Sequence, residues 1–233
     1  FEAEGTRVEE LLRLLDVAGK AGLKVALKIG GCEAVRDLIE SRSYGCDYII
    51  APMIETKYAL EKFISASHKI YGEERDSVKL LFNIETKTGF ENREALVETA
   101  STVLDGVVFG RVDYAASCGM PRVEVNCFSI ERNVGEVAAL CESASLDFVV
   151  GGGISVDALS FLREIDKKGL NRFETRKVIF DNASLWSDKI EAGLIKAVEF
   201  ELLWLKNKRH HYQSILDEDA ERIQMLESRW GLL

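Results

Sequence analysis

Lys79-Leu80-Leu81-Phe82-Asn83-Ile84-Glu85-Thr86 and Asp105-Gly106-Val107-Val108-Phe109-Gly110-Arg111-Val112-Asp113 are two short apolar runs, each ending in an acidic residue. Between them, residues 92–101 have the pattern of a short helix. The order is therefore strand, helix, strand, with a carboxylate at the carboxyl end of each strand. In parallel α/β folds that edge is where ligands bind. Two carboxylates brought together there suit a hard divalent cation, because Mg²⁺ is commonly held by one or two carboxylates with waters and substrate oxygens completing its shell.

The same alternation runs outward in both directions. Val8, Leu11, Leu12, Leu15 and Ala18 recur at helical spacing after Thr6, with Gly22 as a stop. Strand candidates follow at residues 24–29, 48–51, 147–150 and 175–180, separated by helical segments at 33–43, 56–71, 134–143 and 156–168. Six strands, and a partial one at Phe1 that suggests a missing N-terminal piece, predict right-handed βαβ units and a parallel sheet. The expectation is a (β/α)8 TIM barrel lacking its N-terminal strand or strands, with a doubly wound open sheet as the alternative. Ile190, Leu194, Val198, Leu202 and Leu205 form one apolar stripe, read as the last barrel helix. His210-His211 reads as an interhelix loop. The charged segment 212–230 reads as an extra helix serving as an oligomerisation element or lid. The domain expectation is thus a barrel over 1–208 and a C-terminal helical extension over 209–233.

Composition excludes several classes. The chain has 233 residues, 47% of them hydrophobic and only 2 Pro, which argues for a packed core. A net charge of -9 argues against a nucleic-acid partner held through its phosphates. No apolar run reaches membrane-spanning length and no signal peptide is visible. The 5 Cys form no CxxC pair and no zinc spacing with the 3 His, so they read as reduced core fillers in a cytoplasmic protein.

Asn83-Ile84-Glu85-Thr86, Phe109-Gly110-Arg111-Val112-Asp113 and Ser117-Cys118-Gly119 together resemble the metal-site signature of the HpcH/HpaI aldolase and citrate lyase beta-subunit family. Ala51-Pro52-Met53-Ile54-Glu55-Thr56 is similar to that family's strand-end segment, and Leu27-Lys28-Ile29 falls where the family has Val-Arg-Val or Val-Arg-Ile. The resemblance spans roughly residues 1–180. It implies a barrel of the phosphoenolpyruvate/pyruvate type and a Mg²⁺- or Mn²⁺-dependent carbon–carbon lyase. The substrate would be a small 2-oxo acid or acyl compound cleaved through an enolate. Glu85 and Asp113 would ligate the metal, which stabilises enolate charge. Lys28 would stand in for an Arg near the developing oxyanion, without that residue's fork. Backbone amides of Gly110, Arg111, Val112 and Asp113 would receive the substrate carboxylate, and the Arg111 side chain is a further candidate for substrate or phosphate. Gly152 and Gly153, in a glycine-rich turn before a helix, are candidates for anion binding. A homo-oligomer is expected.

Two departures bear on the chemistry. The family's general-base His has no counterpart near Ala3-Glu4, so Glu2 or Glu4 is the candidate replacement. Arg111 stands where Pro is usual. The alternatives are another enolate reaction at the same site, such as thioester hydrolysis or phosphoenolpyruvate chemistry, or a non-catalytic barrel within a larger chain that binds a small acid or a partner.

Overall fold

A computed structural model describes residues 6–231. The partial strand expected at Phe1, and with it Glu2 and Glu4, lies outside the described residues. The chain opens with α1 (Val8–Lys20), β1 (Ala26–Lys28), α2 (Val35–Tyr44), β2 (Tyr48–Ala51) and α3 (Lys57–Tyr71). It continues through β3 (Lys79–Ile84), α4 (Lys87–Glu91), α5 (Arg93–Ala100), β4 (Gly106–Gly110) and α6 (Arg111–Ser117). Then come α7 (Phe128–Ser143), β5 (Asp147–Gly151), α8 (Leu159–Asp166), β6 (Arg172–Glu174), β7 (Ile179–Asp181) and α9 (Ile190–Trp230).

The strands form one curled sheet in the order β1-β2-β3-β4-β5-β6-β7, a half-barrel. All neighbours are parallel except β6 and β7, which pair antiparallel. One expectation is met in part and another is corrected. The described strands do not close into an eight-stranded barrel, because β1 and β7 stand at opposite ends of the strand order. The single parallel strand expected at 175–180 is instead a hairpin. Thr175 donates its N–H to the Val178 carbonyl, and its hydroxyl accepts the Val178 N–H, so the chain turns back there.

Alternation along each strand sorts the two faces. Leu27, Ile49, Leu80, Phe82, Val107, Phe109, Phe148, Val150 and Phe173 point to the helices and join one large buried core. Ile50, Leu81, Val108 and Val149 form a small separate cluster on the concave face. Asn83 and Glu85, two and four residues past Leu81, fall on that concave face at the carboxyl edge.

The amino edge is closed by a repeated device. A strand's first N–H in a parallel sheet lacks a backbone acceptor, and a buried unpaired N–H is costly. Asp47 gives its N–H to the Val25 carbonyl and accepts the Val25 N–H on Oδ2 at 2.8 Å. Asp105 does the same with Leu80, at 2.8 Å. Asn171 does it with Phe148 through Oδ1, at 2.7 Å. Each polar residue thus locks its strand to the preceding one in the sheet. Asp105 also receives Lys79 Nζ at 2.8 Å and Arg75 Nη2 at 3.0 Å.

Helix ends follow the local chemistry. Thr56 caps α3 by accepting the Ala59 N–H, and Thr86 caps α4 by accepting the Gly89 N–H. Gly45 ends α2 in the left-handed conformation, φ 73°. At the far end, α9 runs unbroken for 41 residues, through the His210-His211 position where an interhelix loop was expected. Its body-facing line is Ile190, Leu194 and Ala197, all buried. It continues through half-buried Glu201, Trp204, Lys208 and Tyr212. Val198, Leu202 and Leu205, expected to face the barrel, are exposed. A straight helix has 3.6 residues per turn, so a stripe read at wider spacing drifts off the packed side. Lys208 and Tyr212 fasten α9 to α1 through Glu10, at 3.0 and 2.6 Å.

Of the cysteines, Cys46 and Cys141 are buried, Cys118 is exposed and Cys32 and Cys127 are intermediate, so only two are core fillers. Burial raises the Cys46 thiol to about 11 and the Cys141 thiol to about 12.

Asp105 yields a stability test. Burial alone would raise its carboxyl, but hydrogen bonds from Lys79, the Leu80 N–H and Arg75 outweigh it and hold it below the ordinary carboxylate range. A depressed folded value contributes stability that is present above the unfolded pKa, near about 3.9, and lost as pH falls through the folded one. Asp105→Asn is expected to cost about 1–3 kcal/mol at pH 7. The deficit should shrink toward pH 3, as read by urea unfolding at several pH values.

Candidate active site

Glu85 follows the last residue of β3 and is 2% exposed. A carboxylate this buried must be met by donors. Oε1 accepts the Met53 N–H at 2.8 Å, and Oε2 accepts Asn83 Nδ2 at 2.7 Å. Lys28 Nζ, from the end of β1, lies 3.7 Å from Oε2. The Met53 donor is aimed by backbone strain, since Met53 has φ 54° in the left-handed region that non-glycine residues avoid. Pro52 precedes it, so the Pro52-Met53 turn carries an N–H over the end of the neighbouring strand.

Gly110 makes room for this carboxylate. A Cβ built there would stand 2.7 Å from Glu85 Cβ and 2.8 Å from Oε2, too close for any other residue. Asp113 lies three residues on, exposed in the first turn of α6. Residues three apart on a helix sit about 5–6 Å from each other. The edge around Glu85 is therefore shared by Lys28, Asn83, Met53 and Gly110, with Asp113 one turn of α6 beyond.

Arg111 does something different from its expected role toward substrate. It is the largest fully buried side chain, 0% exposed. Nη1 donates to Asn126 Oδ1 at 2.7 Å, Nη2 to the Gly152 carbonyl at 2.8 Å, and Nε to the Gly151 carbonyl at 3.4 Å. Its guanidinium lies 4.4 Å from the Phe161 ring centroid. No carboxylate is recorded within ion-pair distance of it among the described residues, and burial pushes its pKa down to about 10, still charged at neutral pH. The side chain therefore fastens the β4–α6 turn to the turn after β5 and is turned away from any ligand at the edge.

The glycine-rich turn is shaped by the same contact. Gly152 has φ +79°, and a Cβ there would meet the Val112 nitrogen at 2.7 Å and the Arg111 nitrogen at 3.0 Å. Gly153 has φ +66° and packs against Val112 and Val125. Gly152 thus lets the β5 turn approach the backbone that begins α6.

Sequence reasoning missed Glu174. It ends β6, and its carboxylate would meet a Cβ on Gly151 at 2.7 Å, as Glu85 would meet one on Gly110. Gly110 and Gly151 are register partners, so Glu85 and Glu174 flank one glycine pair. The available signal was the acid at the end of Arg172-Phe173-Glu174. Placing the strand three residues later hid it.

The oxygen set suits a hard cation. Each Glu85 oxygen accepts one side-chain or main-chain hydrogen bond and retains lone-pair capacity. Asn83 Oδ1 is buried with no hydrogen-bond partner. An orphaned carbonyl oxygen beside a carboxylate is the kind of donor Mg²⁺ or Mn²⁺ takes. Among the described residues no three His, Cys, Asp or Glu converge, so water or a ligand would have to complete the shell.

These features define a class: α/β half-barrels with an acidic site at the carboxyl edge of a parallel sheet. The model of the HpcH/HpaI aldolase/citrate lyase family matches residues 3–153, and the chain belongs to that family. Three solved structures share the fold. An HpcH/HpaI aldolase from Desulfitobacterium hafniense DCB-2 aligns with TM-score 0.59 at 13% identity, covering 71% of each chain. The citrate synthase SbnG aligns with TM-score 0.63 at 15% identity, over 90% of this chain and 83% of its own. A family protein from Burkholderia cenocepacia J2315 aligns with TM-score 0.60 at 14% identity, over 86% and 81%. No curated protein matches by sequence.

The Arg111 clamp makes a specific prediction. Arg111→Leu leaves Asn126 and the Gly151 and Gly152 carbonyls without their donor, at a cost of about 3 kcal/mol or more. Arg111→Lys recovers only part of it, because an ammonium cannot fork to several acceptors. Urea unfolding of the two variants measures the order.

Proposed function

We propose that the protein is a divalent-metal-dependent carbon–carbon lyase of the aldolase or citrate-lyase kind, acting on a 2-oxo acid or acyl substrate. The observation that carries this reading is the buried Glu85 carboxylate, aimed by Met53 and Asn83 and set over Gly110 beside an unpartnered Asn83 oxygen. Membership of the family supports it.

In this reading Glu85 and Asp113 hold Mg²⁺ or Mn²⁺. The cation, when bound, supplies Lewis-acid stabilisation of the negative charge that carbon–carbon cleavage leaves on an enolate oxygen. Met53 and Asn83 keep Glu85 from turning, so its oxygens are preorganised rather than solvated. Lys28 presents its ammonium on the same side as Glu85 and offers a second positive charge to a developing oxyanion. The amides of Arg111, Val112 and Asp113 receive the substrate carboxylate, with Gly152 keeping that backbone uncrowded. Arg111 acts through position, by holding the two turns in register. The proton acceptor is Glu2 or Glu4, because none of the chain's three His lies on a site element: His68 is in α3 and His210 and His211 are in α9.

The Lys28–Glu85 pair at 3.7 Å also favours a second reading. A cation already beside the carboxylate competes with a metal, as expected of a divergent member that binds a small acid without turning it over. Calorimetric titration with Mn²⁺ separates the cases. Binding that disappears in Glu85→Gln and in Asp113→Asn, with pyruvate or acetate released from a panel of hydroxy-oxo acids and acyl thioesters, supports the lyase. Unchanged binding in the combined variant rules it out. Binding without release from any panel member favours the divergent reading.

A further inference from the structure

One acidic side chain at the same edge is left without a role by the proposed chemistry. Glu174 ends β6, and Phe173 before it joins the helix-facing core, so alternation turns Glu174 to the concave face that carries Glu85. Ile84 pairs with Phe109 and Val150 with Phe173, which sets Glu85 opposite Gly110 and Glu174 opposite Gly151. Gly110 and Gly151 are themselves partners. The order across the sheet is therefore acid, glycine, glycine, acid, over three strand spacings or about 14 Å. Both acids lean inward over that floor. A Cβ on Gly110 would stand 2.8 Å from Glu85 Oε2. A Cβ on Gly151 would stand 2.7 Å from Glu174 Oε1, 3.0 Å from its Cγ and 3.2 Å from its Cδ. Gly151 is not among the glycines of positive φ, so space and not backbone conformation excludes a side chain there.

The two carboxylates are not equivalent. Glu85 is buried and its oxygens face Met53, Asn83 and Lys28. Glu174 is half-buried, and a carboxylate offers about four lone-pair sites, so partners elsewhere do not exhaust its capacity to accept. The glycine floor is a path from Glu85 that is free of side chains, and Glu174 stands at its far end. Charge then decides what fits. Like charges brought together in a desolvated site are strongly unfavourable. A hydroxyl or an ammonium instead donates to a carboxylate in a charge-assisted hydrogen bond. Of the cations at this edge, Lys28 lies beside Glu85 at 3.7 Å and Arg176 beside Glu201 of α9 at 3.9 Å, while Lys177 shares the hairpin turn.

We propose that Glu174 is a specificity-determining residue. It selects ligands whose metal-bound carboxylate end is followed by a hydrogen-bond donor, a hydroxyl or an ammonium, and rejects those that carry a second carboxylate there. The inference deepens the lyase reading and rests on its placement of the metal at Glu85, but it concerns binding alone and needs no turnover.

Calorimetric titration of the full chain, in the presence of Mn²⁺, with four acids built on the lactate frame isolates the end group. Lactate ends in a methyl, glycerate in a hydroxymethyl, isoserine in an aminomethyl and malate in a carboxymethyl. Glycerate or isoserine is expected to bind about tenfold or more tighter than malate, and the tighter of the two identifies the donor. Malate binding as tightly as both, drawn to the cations of the edge, overturns the proposal, and so does a chain that binds none of the four. Glu174→Gln keeps an acceptor and removes the charge, so malate should gain about tenfold, glycerate should change little and isoserine should weaken. An order unchanged in that variant overturns the selection by Glu174. Gly151→Ala fills the space that the carboxylate occupies and should erase the preference with unchanged circular dichroism; a retained preference overturns the placement. The two readings fail separately. The expected order without cleavage of any substrate defeats the lyase and leaves this inference standing, whereas cleavage with malate preferred does the reverse.

Discussion

Arg111 brings a full positive charge to a place where no carboxylate among the described residues meets it. It is tolerated because carbonyl and amide oxygens take its donors and the Phe161 ring covers its face. The geometry of the edge depends on that clamp. It ties the turn after β4 to the turn after β5, and these two turns carry Gly110, Asp113, Gly152 and Gly153. Without it the start of α6 would be tied to the neighbouring strand only by the Gly110–Gly151 pairing and the close approach of Gly152. The carboxylate at Glu85 overlies Gly110, the residue just before this clamp.

The second constraint is space. Glu85 and Glu174 sit over adjacent glycines, so two acidic side chains share a floor that has no side chains of its own. Lys28 offsets part of that negative charge at 3.7 Å. An Arg in the same position would bring a planar fork; an ammonium brings a point charge and leaves more room. The site is therefore compact and net acidic, with its polar atoms on strand ends and not on long loops. Rigid supports of this kind hold oxygen donors closely enough for metal or oxyanion chemistry.

Much of this was legible in the chain. The short apolar runs at β2, β3, β4 and β5 and the intervening helical spacings identified a parallel α/β sheet, because strand-length apolar runs and helical periodicity are local properties. Glu85, Gly110 and Lys28 were legible as strand-end residues and are brought to one edge. What was hidden depended on tertiary context. The β6–β7 hairpin turns on a Thr175 hydroxyl bonding to Val178, an interaction no pattern of apolar residues encodes. Arg111 looked like a ligand-facing cation because its burial comes from Asn126 and Phe161, 15 and 50 positions away in the sequence. The continuity of α9 was missed because His210-His211 resembles a loop composition, whereas Glu10 of α1 tethers Lys208 and Tyr212 on either side of it.

The carboxylate and amide locks along the amino edge have a bearing on how the sheet avoids misassembly. A parallel strand that slid by two residues would keep every apolar side chain on its proper face, so hydrophobic alternation is blind to such slippage. Asp47, Asp105 and Asn171 are not blind to it. Each recognises one particular N–H of the strand beside it, and a shifted strand would leave both an acceptor and a donor stranded. Error-checking of the pairing therefore falls to three polar side chains at the edge opposite the one where chemistry is proposed, and mutation can vary the two edges independently.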